Sequence, residues 1–124
     1  MSRRIAVIGA GAVGSYIGAF IGMEGHDITL IDMWGAHVDH INEHGMRVAG
    51  PQGDHVVPLR AIHLADAYQI REPFDLIFLS VKSYDTEWAT YFAKRFLAPD
   101  GILASAQNCM NDQLIASIVG YHRE

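Results

Sequence analysis

Arg4-Ile5-Ala6-Val7-Ile8-Gly9-Ala10-Gly11-Ala12-Val13-Gly14 decides how the rest of the chain is read. Its apolar run predicts a buried strand that breaks at once into Gly9-x-Gly11-x-x-Gly14, with a helical pattern behind it. In that strand–turn–helix context, G-x-G-x-x-G points to a dinucleotide site. Gly9 allows the tight turn, Gly11 lets a pyrophosphate approach the backbone, and Gly14 lets helix and strand pack closely. The helix N-terminus behind the turn offers free N–H groups and a positive dipole end to phosphates. Gly9, Ala10, Gly11, Ala12, Val13 and Gly14 are therefore the candidate cofactor-binding turn.

Working outward, a helix is expected from Ala12 to Met23 or Glu24. Gly14, Gly18 and Gly22 fall on one face of it, smooth enough to lie close against a sheet. Gly25 is its stop at the C′ position. Asp27 to Asp32 reads as strand two, Gly35 to His44 as a helix closed by Gly45, and Gly50-Pro51-Gln52-Gly53 as a turn between short strands Met46–Ala49 and His55–Leu59. Arg60 to His63 returns to the main sheet as strand three. Leu64 to Arg71 is a loop with a helical turn. Asp75 to Val81 is a buried strand, and Tyr84 to Leu97 a helix with Trp88, Phe92 and Phe96 on one stripe. Ala98-Pro99-Asp100-Gly101 is a turn, Ile102 to Ala106 the last strand, and Asn111 caps a final helix to Val119. Alternating strands and helices imply a parallel sheet covered on both faces. The expectation is an α/β, Rossmann-type doubly wound sheet of order 3-2-1-4-5 with a small β-hairpin insert.

Bulk properties agree with one domain. The chain has 124 residues, half of them apolar, and a net charge of −5, which gives no reason to expect nucleic acid or an anionic membrane as partner. The single cysteine, Cys109, cannot form an internal disulfide and favours a reducing, cytoplasmic setting. Met1-Ser2-Arg3-Arg4 before an apolar run superficially resembles a signal peptide, but the glycines of the fingerprint cut that run. No uninterrupted apolar stretch reaches the ~18 residues of a membrane span.

Asp32 follows Gly14 by 18 residues, close to the spacing of about 20 at which an acid holds the adenosine ribose. A carboxylate there accepts from both ribose hydroxyls and repels a 2′-phosphate. NAD is therefore favoured over NADP, with Arg47 or Arg60 as the basic residues that would still admit a phosphate. Lys82 follows the fourth strand of the main sheet, at the carboxyl edge where ligands bind. It suits a substrate carboxylate or the cofactor, or is a solvated lysine. Asn108, after the last strand, suits a substrate hydroxyl or the carboxamide end of the cofactor, or caps a helix. Cys109 has no base beside it in the sequence. His40-Ile41-Asn42-Glu43-His44 matches H-x-x-E-H, an inverted zinc-protease motif. It falls on an outer helix without a third ligand, so no metal site is assigned, although His37 on nearly the same face adds another imidazole.

Ile5 to Ser15, Val81-Lys82-Ser83-Tyr84 and Gln107-Asn108 together resemble the N-terminal domain of the ketopantoate reductase (2-dehydropantoate 2-reductase) family, over essentially the whole chain. The resemblance implies hydride transfer from NAD(P)H to the 2-oxo group of a small 2-oxo acid, with Lys82 and Asn108 lining the cleft beside nicotinamide and substrate. It also implies a helical C-terminal domain that closes the cleft and contributes a general-acid lysine. Residues 1–124 are then the dinucleotide-binding domain alone, a fragment that turns over poorly or not at all by itself. Two positions depart from the family: Cys109 stands where glycine is usual, and Asp32 where a basic residue suited to NADPH is frequent. The same fingerprint and acid also serve non-catalytic nucleotide-sensing modules and FAD-binding halves of flavoproteins. The sensing modules have no need of Lys82 together with Gln107-Asn108, and a colourless purified protein would count against the flavoprotein.

Overall fold

A computed structural model describes residues 3–50, 53–82, 85–105 and 119. Its main sheet is built on β1 (Arg4–Ile8), flanked by β2 (Asp27–Asp32) and β6 (Phe74–Leu79). β5 (Arg60–His63) pairs outside β2, and β7 (Leu97–Ser105) outside β6, every pairing parallel. The five-stranded order β5-β2-β1-β6-β7 is 3-2-1-4-5 when only the strands of this sheet are counted. Helices α1 (Ala12–Met23), α2 (Gly35–His44) and α3 (Thr86–Phe96) follow β1, β2 and β6. A separate antiparallel hairpin, β3 (Met46–Gly50) with β4 (Gly53–Val57), precedes β5.

The apolar runs of the central strands follow from burial on both faces. Along β1, Ala6 and Ile8 point to one core with Ile31, Ile77, Leu79 and Leu103, covered by Ala89 and Ala93 of α3. Ile5 and Val7 point to the other with Ile28 and Leu30, covered by Ala19 of α1 and Val38 and Ile41 of α2. α1 lies close because glycines stand on its inner face: a Cβ on Gly18 would sit 2.5 Å from Leu30 Cδ2, and one on Gly22 2.6 Å from Leu59 Cδ2. The helix stops in a Schellman motif, with Gly25 N–H donating to Gly22 O at 3.0 Å and His26 N–H to Ile21 O at 3.4 Å.

Several boundaries differ from the sequence reading. β4 runs Gly53–Val57 rather than His55–Leu59, because the ladder continues to the Gly50↔Gly53 pair. Leu59 leaves the hairpin to bury itself beneath α1. β6 begins at Phe74, whose ring is buried, and leaves the ladder after Leu79. α3 ends at Phe96 and passes directly into β7, so the expected turn at 98–101 is part of that strand. Register explains both readings: from Phe74↔Leu97 to Leu76↔Ile102, β6 advances two residues and β7 five. Ala98-Pro99-Asp100-Gly101 is thus an irregularity in an edge strand, where a proline without N–H is tolerated. The innermost residues of α3 are Thr86, Ala89, Thr90 and Ala93. Trp88, Phe92 and Phe96 form a ladder beside them, half-buried, with ring centroids 6.5 and 5.0 Å apart. The expected helix start at Tyr84, the last residue of the final strand at Ala106, and the helix from Asn111 lie outside the described residues. Val119, at that helix's expected end, is helical and buried in the α3-side core.

Candidate functional site

The fingerprint turn is held between its two neighbouring strands. Gly9 N–H donates to Ile31 O and Ser80 N–H to Ile8 O, both at 2.8 Å. Gly9 has φ +97°, and a Cβ on it would lie 2.6 Å from Ser80 O. A Cβ on Gly14 would run into the Gly9 carbonyl oxygen. These two glycines bring turn, helix and β6 together. Gly11 differs: it is the N-cap of α1, exposed, and a Cβ there meets nothing within 4 Å. No side chain caps the helix and no acid stands in its first turn. The first N–H groups and the positive dipole end are left for an anion.

Ala10, buried inside the turn, gathers the neighbouring side chains. Its N–H donates to Asp32 Oδ1 at 3.2 Å. Its carbonyl accepts from Ser15 Oγ at 2.7 Å and from His37 Nε2 at 2.8 Å. Asp32, at the end of β2, also accepts the Trp34 N–H on Oδ2 at 3.4 Å. An ionised carboxylate offers about four lone-pair sites, so two backbone bonds leave acceptor capacity for a ligand. The His37 ring stacks on Trp34, with centroids 5.3 Å apart and planes at 23°. His63, at the end of β5, donates from Nε2 to Met33 O at 2.9 Å and accepts the Ala65 N–H on Nδ1 at 3.0 Å. The bond to Met33 ties the loop after β2 to β5.

An open cleft of about 490 Å³ runs along this surface, lined by Gly11, Tyr16, Asp32, Trp34, His37 and Arg47 among others. Three of the glycine-turn and acid positions singled out from sequence, Ala10, Gly11 and Asp32, thus line one space. The two candidate arginines separate. Arg47, on β3, lines the cleft and pairs with Asp54 at 2.6 Å. Arg60 stands at the start of β5, opposite Thr29, and lines a different depression with Arg4 and Arg71. A parallel strand's first residue lies at the amino edge of the sheet, away from the ligand edge. Lys82 is exposed just past β6, in a turn where its carbonyl accepts Asp85 N–H at 2.8 Å. The preceding residues Ser80 and Val81 pack on Gly9, so this segment adjoins the fingerprint turn. Asn108, Gln107 and Cys109 lie outside the described residues.

The H-x-x-E-H match has another use for its groups. His40 and His44 are ring neighbours at 4.9 Å, while His37 faces Ala10 and Trp34 instead. Among the described residues no cluster of three or more His, Cys, Asp or Glu stands together for a metal, and no helix is long and apolar enough to cross a membrane. Sequence reasoning missed Trp34, Tyr16 and His37 as cleft residues and His63 as the tie of the loop. The available signal was a tryptophan two positions after the acid in a polar loop, since an exposed ring beside a candidate site is a common ligand wall.

A family model described as Ketopantoate reductase PanE/ApbA matches residues 5–121. The 2-dehydropantoate 2-reductase of Pyrococcus horikoshii is 31% identical over 117 residues, covering 94% of this chain and 37% of that protein. A PanE/ApbA family ketopantoate reductase from Ralstonia eutropha JMP134 superposes with a TM-score of 0.83 at 31% identity, covering 94% of this chain and 38% of the other. A D-mandelate dehydrogenase, solved as a ternary structure with NADH and anilino(oxo)acetate, gives 0.78 at 26% identity, covering 92% and 36%. The chain spans between 25% and 37% of the length of the curated relatives it matches.

Proposed function

This chain belongs to the ketopantoate reductase PanE/ApbA family, and on that premise we propose that it is the dinucleotide-binding part of an NAD(P)H-dependent 2-oxo acid reductase. The observation that carries this reading is one cleft lined both by Gly11, at the uncapped N-terminus of α1, and by the Asp32 carboxylate. The residues present fit a dinucleotide: the open side of Gly11 leaves room for a pyrophosphate against the backbone. The free N–H groups of α1 bind its oxygens. Asp32 accepts from the adenosine ribose hydroxyls, which favours NAD over NADP.

Bound at this site, the cofactor supplies the hydride that reduces the 2-oxo carbon. The protein's part is position and charge. Lys82, next to the fingerprint turn, donates a charge-assisted hydrogen bond to the carboxylate or 2-oxo oxygen of the substrate. Asn108 orients the substrate or the nicotinamide carboxamide through its side-chain amide. As the family resemblance implies, a helical domain would close the cleft, exclude water and contribute the general-acid lysine that protonates the oxygen as the hydride reaches the carbon. The leading substrate is 2-dehydropantoate, within a class of small 2-oxo acids.

Two measurements test the reading. Titration calorimetry should find NADH bound about tenfold more weakly by Asp32→Asn than by the wild type, equivalent to ~1.4 kcal/mol; equal affinities remove the ribose assignment. The full-length protein should oxidise NADH or NADPH with at least one member of a 2-oxo acid panel, and Lys82→Ala should lower kcat. No oxidation with any 2-oxo acid removes the reductase reading.

A further inference from the structure

The β3–β4 hairpin forms one wall of the cleft, bringing Met46, Arg47 and Val48 to the same space as Gly11 and Asp32. Among the described residues lining that space, Arg47 is the only lysine or arginine. A guanidinium near the ribose is the group that accepts a 2′-phosphate in nucleotide folds of this kind. Here it is already engaged. Arg47 lies opposite Val56 and Ala49 opposite Asp54 in the hairpin register, so Asp54 is the diagonal cross-strand neighbour of Arg47. Its Oδ2 takes the guanidinium at 2.6 Å. The hydrogen bond and charge of Asp54 raise the pKa of Arg47 above its ordinary value, so the cation is present at any working pH.

We propose that Asp54 is a cofactor-selectivity residue: by holding Arg47 on the hairpin it withholds the cation that would bind a 2′-phosphate, and so favours the unphosphorylated dinucleotide. The inference rests on the dinucleotide reading of the cleft. Selectivity then comes from two carboxylates acting differently. Asp32 repels the phosphate at the ribose, and Asp54 occupies the residue that would compensate. The side chains of the pair are 75% and 51% exposed. Ion pairs this exposed are weak and salt-screened, so a phosphate dianion competes for the guanidinium without winning outright. NADPH therefore binds less tightly than NADH but measurably.

Calorimetric titration of the protein with NADH and with NADPH, at low and high salt, tests this. Asp54→Asn is expected to tighten NADPH binding about fivefold, a size set by the loss of one exposed ion pair. NADH affinity should stay as in the wild type. The gain should shrink in high salt and vanish in the double variant Asp54→Asn with Arg47→Gln. If the wild type binds NADH and the NADPH-to-NADH affinity ratio is the same in Asp54→Asn, the selectivity role of Asp54 is overturned and the cleft assignment stands. If the wild type binds neither dinucleotide, both are overturned. A gain that persists without Arg47 also overturns the proposal, since it would then reflect only the lost negative charge.

Discussion

Gly9 and Gly11 stand two positions apart in one motif and do opposite work. Gly9 serves the fold: its φ of +97° and the 2.6 Å approach of Ser80 O leave no place for a side chain. Gly9→Ala should destabilise the protein by about 1–3 kcal/mol in urea unfolding, the usual cost of a non-glycine residue held in that region of backbone space. Gly11 has φ −72° and open space where a Cβ would go. Gly11→Ala should change stability by less than about 1 kcal/mol but weaken NADH binding about tenfold, ~1.4 kcal/mol, because the added methyl stands where the pyrophosphate approaches. If both variants lose stability alike, Gly11 is a folding residue and the division fails. The motif alone assigned Gly9 to a tight turn, and its positive φ agrees. It carried no sign that Ala10, an alanine between them, would collect Asp32, Ser15 and His37 through its backbone.

At the scale of elements, edge strand β5 shows how side chains finish what the sheet leaves open. Among the described residues no strand pairs on its outer side, and the backbone groups of Ala61 are satisfied by one side chain. Asn42 of α2 donates from Nδ2 to Ala61 O and accepts Ala61 N–H on Oδ1, both at 2.8 Å. Buried backbone groups without partners are costly, and such a clip also blocks pairing with another chain. Asn42→Ala should cost about 1–3 kcal/mol and accelerate amide hydrogen exchange at Ala61; unchanged exchange there would show that the strand needs no clip. Asn42 sits inside the H-x-x-E-H match, and it is this residue of the stretch that fastens helix to sheet. Its histidines neighbour one another, and His44 Nε2 lies 3.5 Å from Glu43 Oε2. Similarly, the three aromatics of α3 are conspicuous in sequence, yet Thr86, Ala89, Thr90 and Ala93 form its deepest face. Periodicity marks an apolar stripe, while the space between helix and sheet selects small residues for the closest approach.

Across the whole molecule, the cleft joins elements from both sheets: β2, α1, α2 and the β3–β4 hairpin contribute to it. A ligand seated there should stabilise sheet and hairpin together. At 100 times its Kd, NADH should add ~2.7 kcal/mol and raise the midpoint of a single thermal transition by about 5–15 °C. An unmoved midpoint, or a hairpin that melts separately, would mean that the hairpin is no wall of the site. The order of residues was enough to set the alternation of strands and helices, the fingerprint turn and the acid after β2. These depend on local signals: apolar runs buried on both faces, glycine stops, and a motif whose parts are fixed by a single β–α–β unit. Folding in three dimensions was needed to bring Arg47 to the cleft while Arg60 lies at the sheet's other edge, to bond His37 to Ala10 rather than join it to His40 and His44, and to absorb residues 98–101 into a strand. Each of these depends on which distant elements meet, and that is set by register and crossover rather than by any residue's neighbours in the chain.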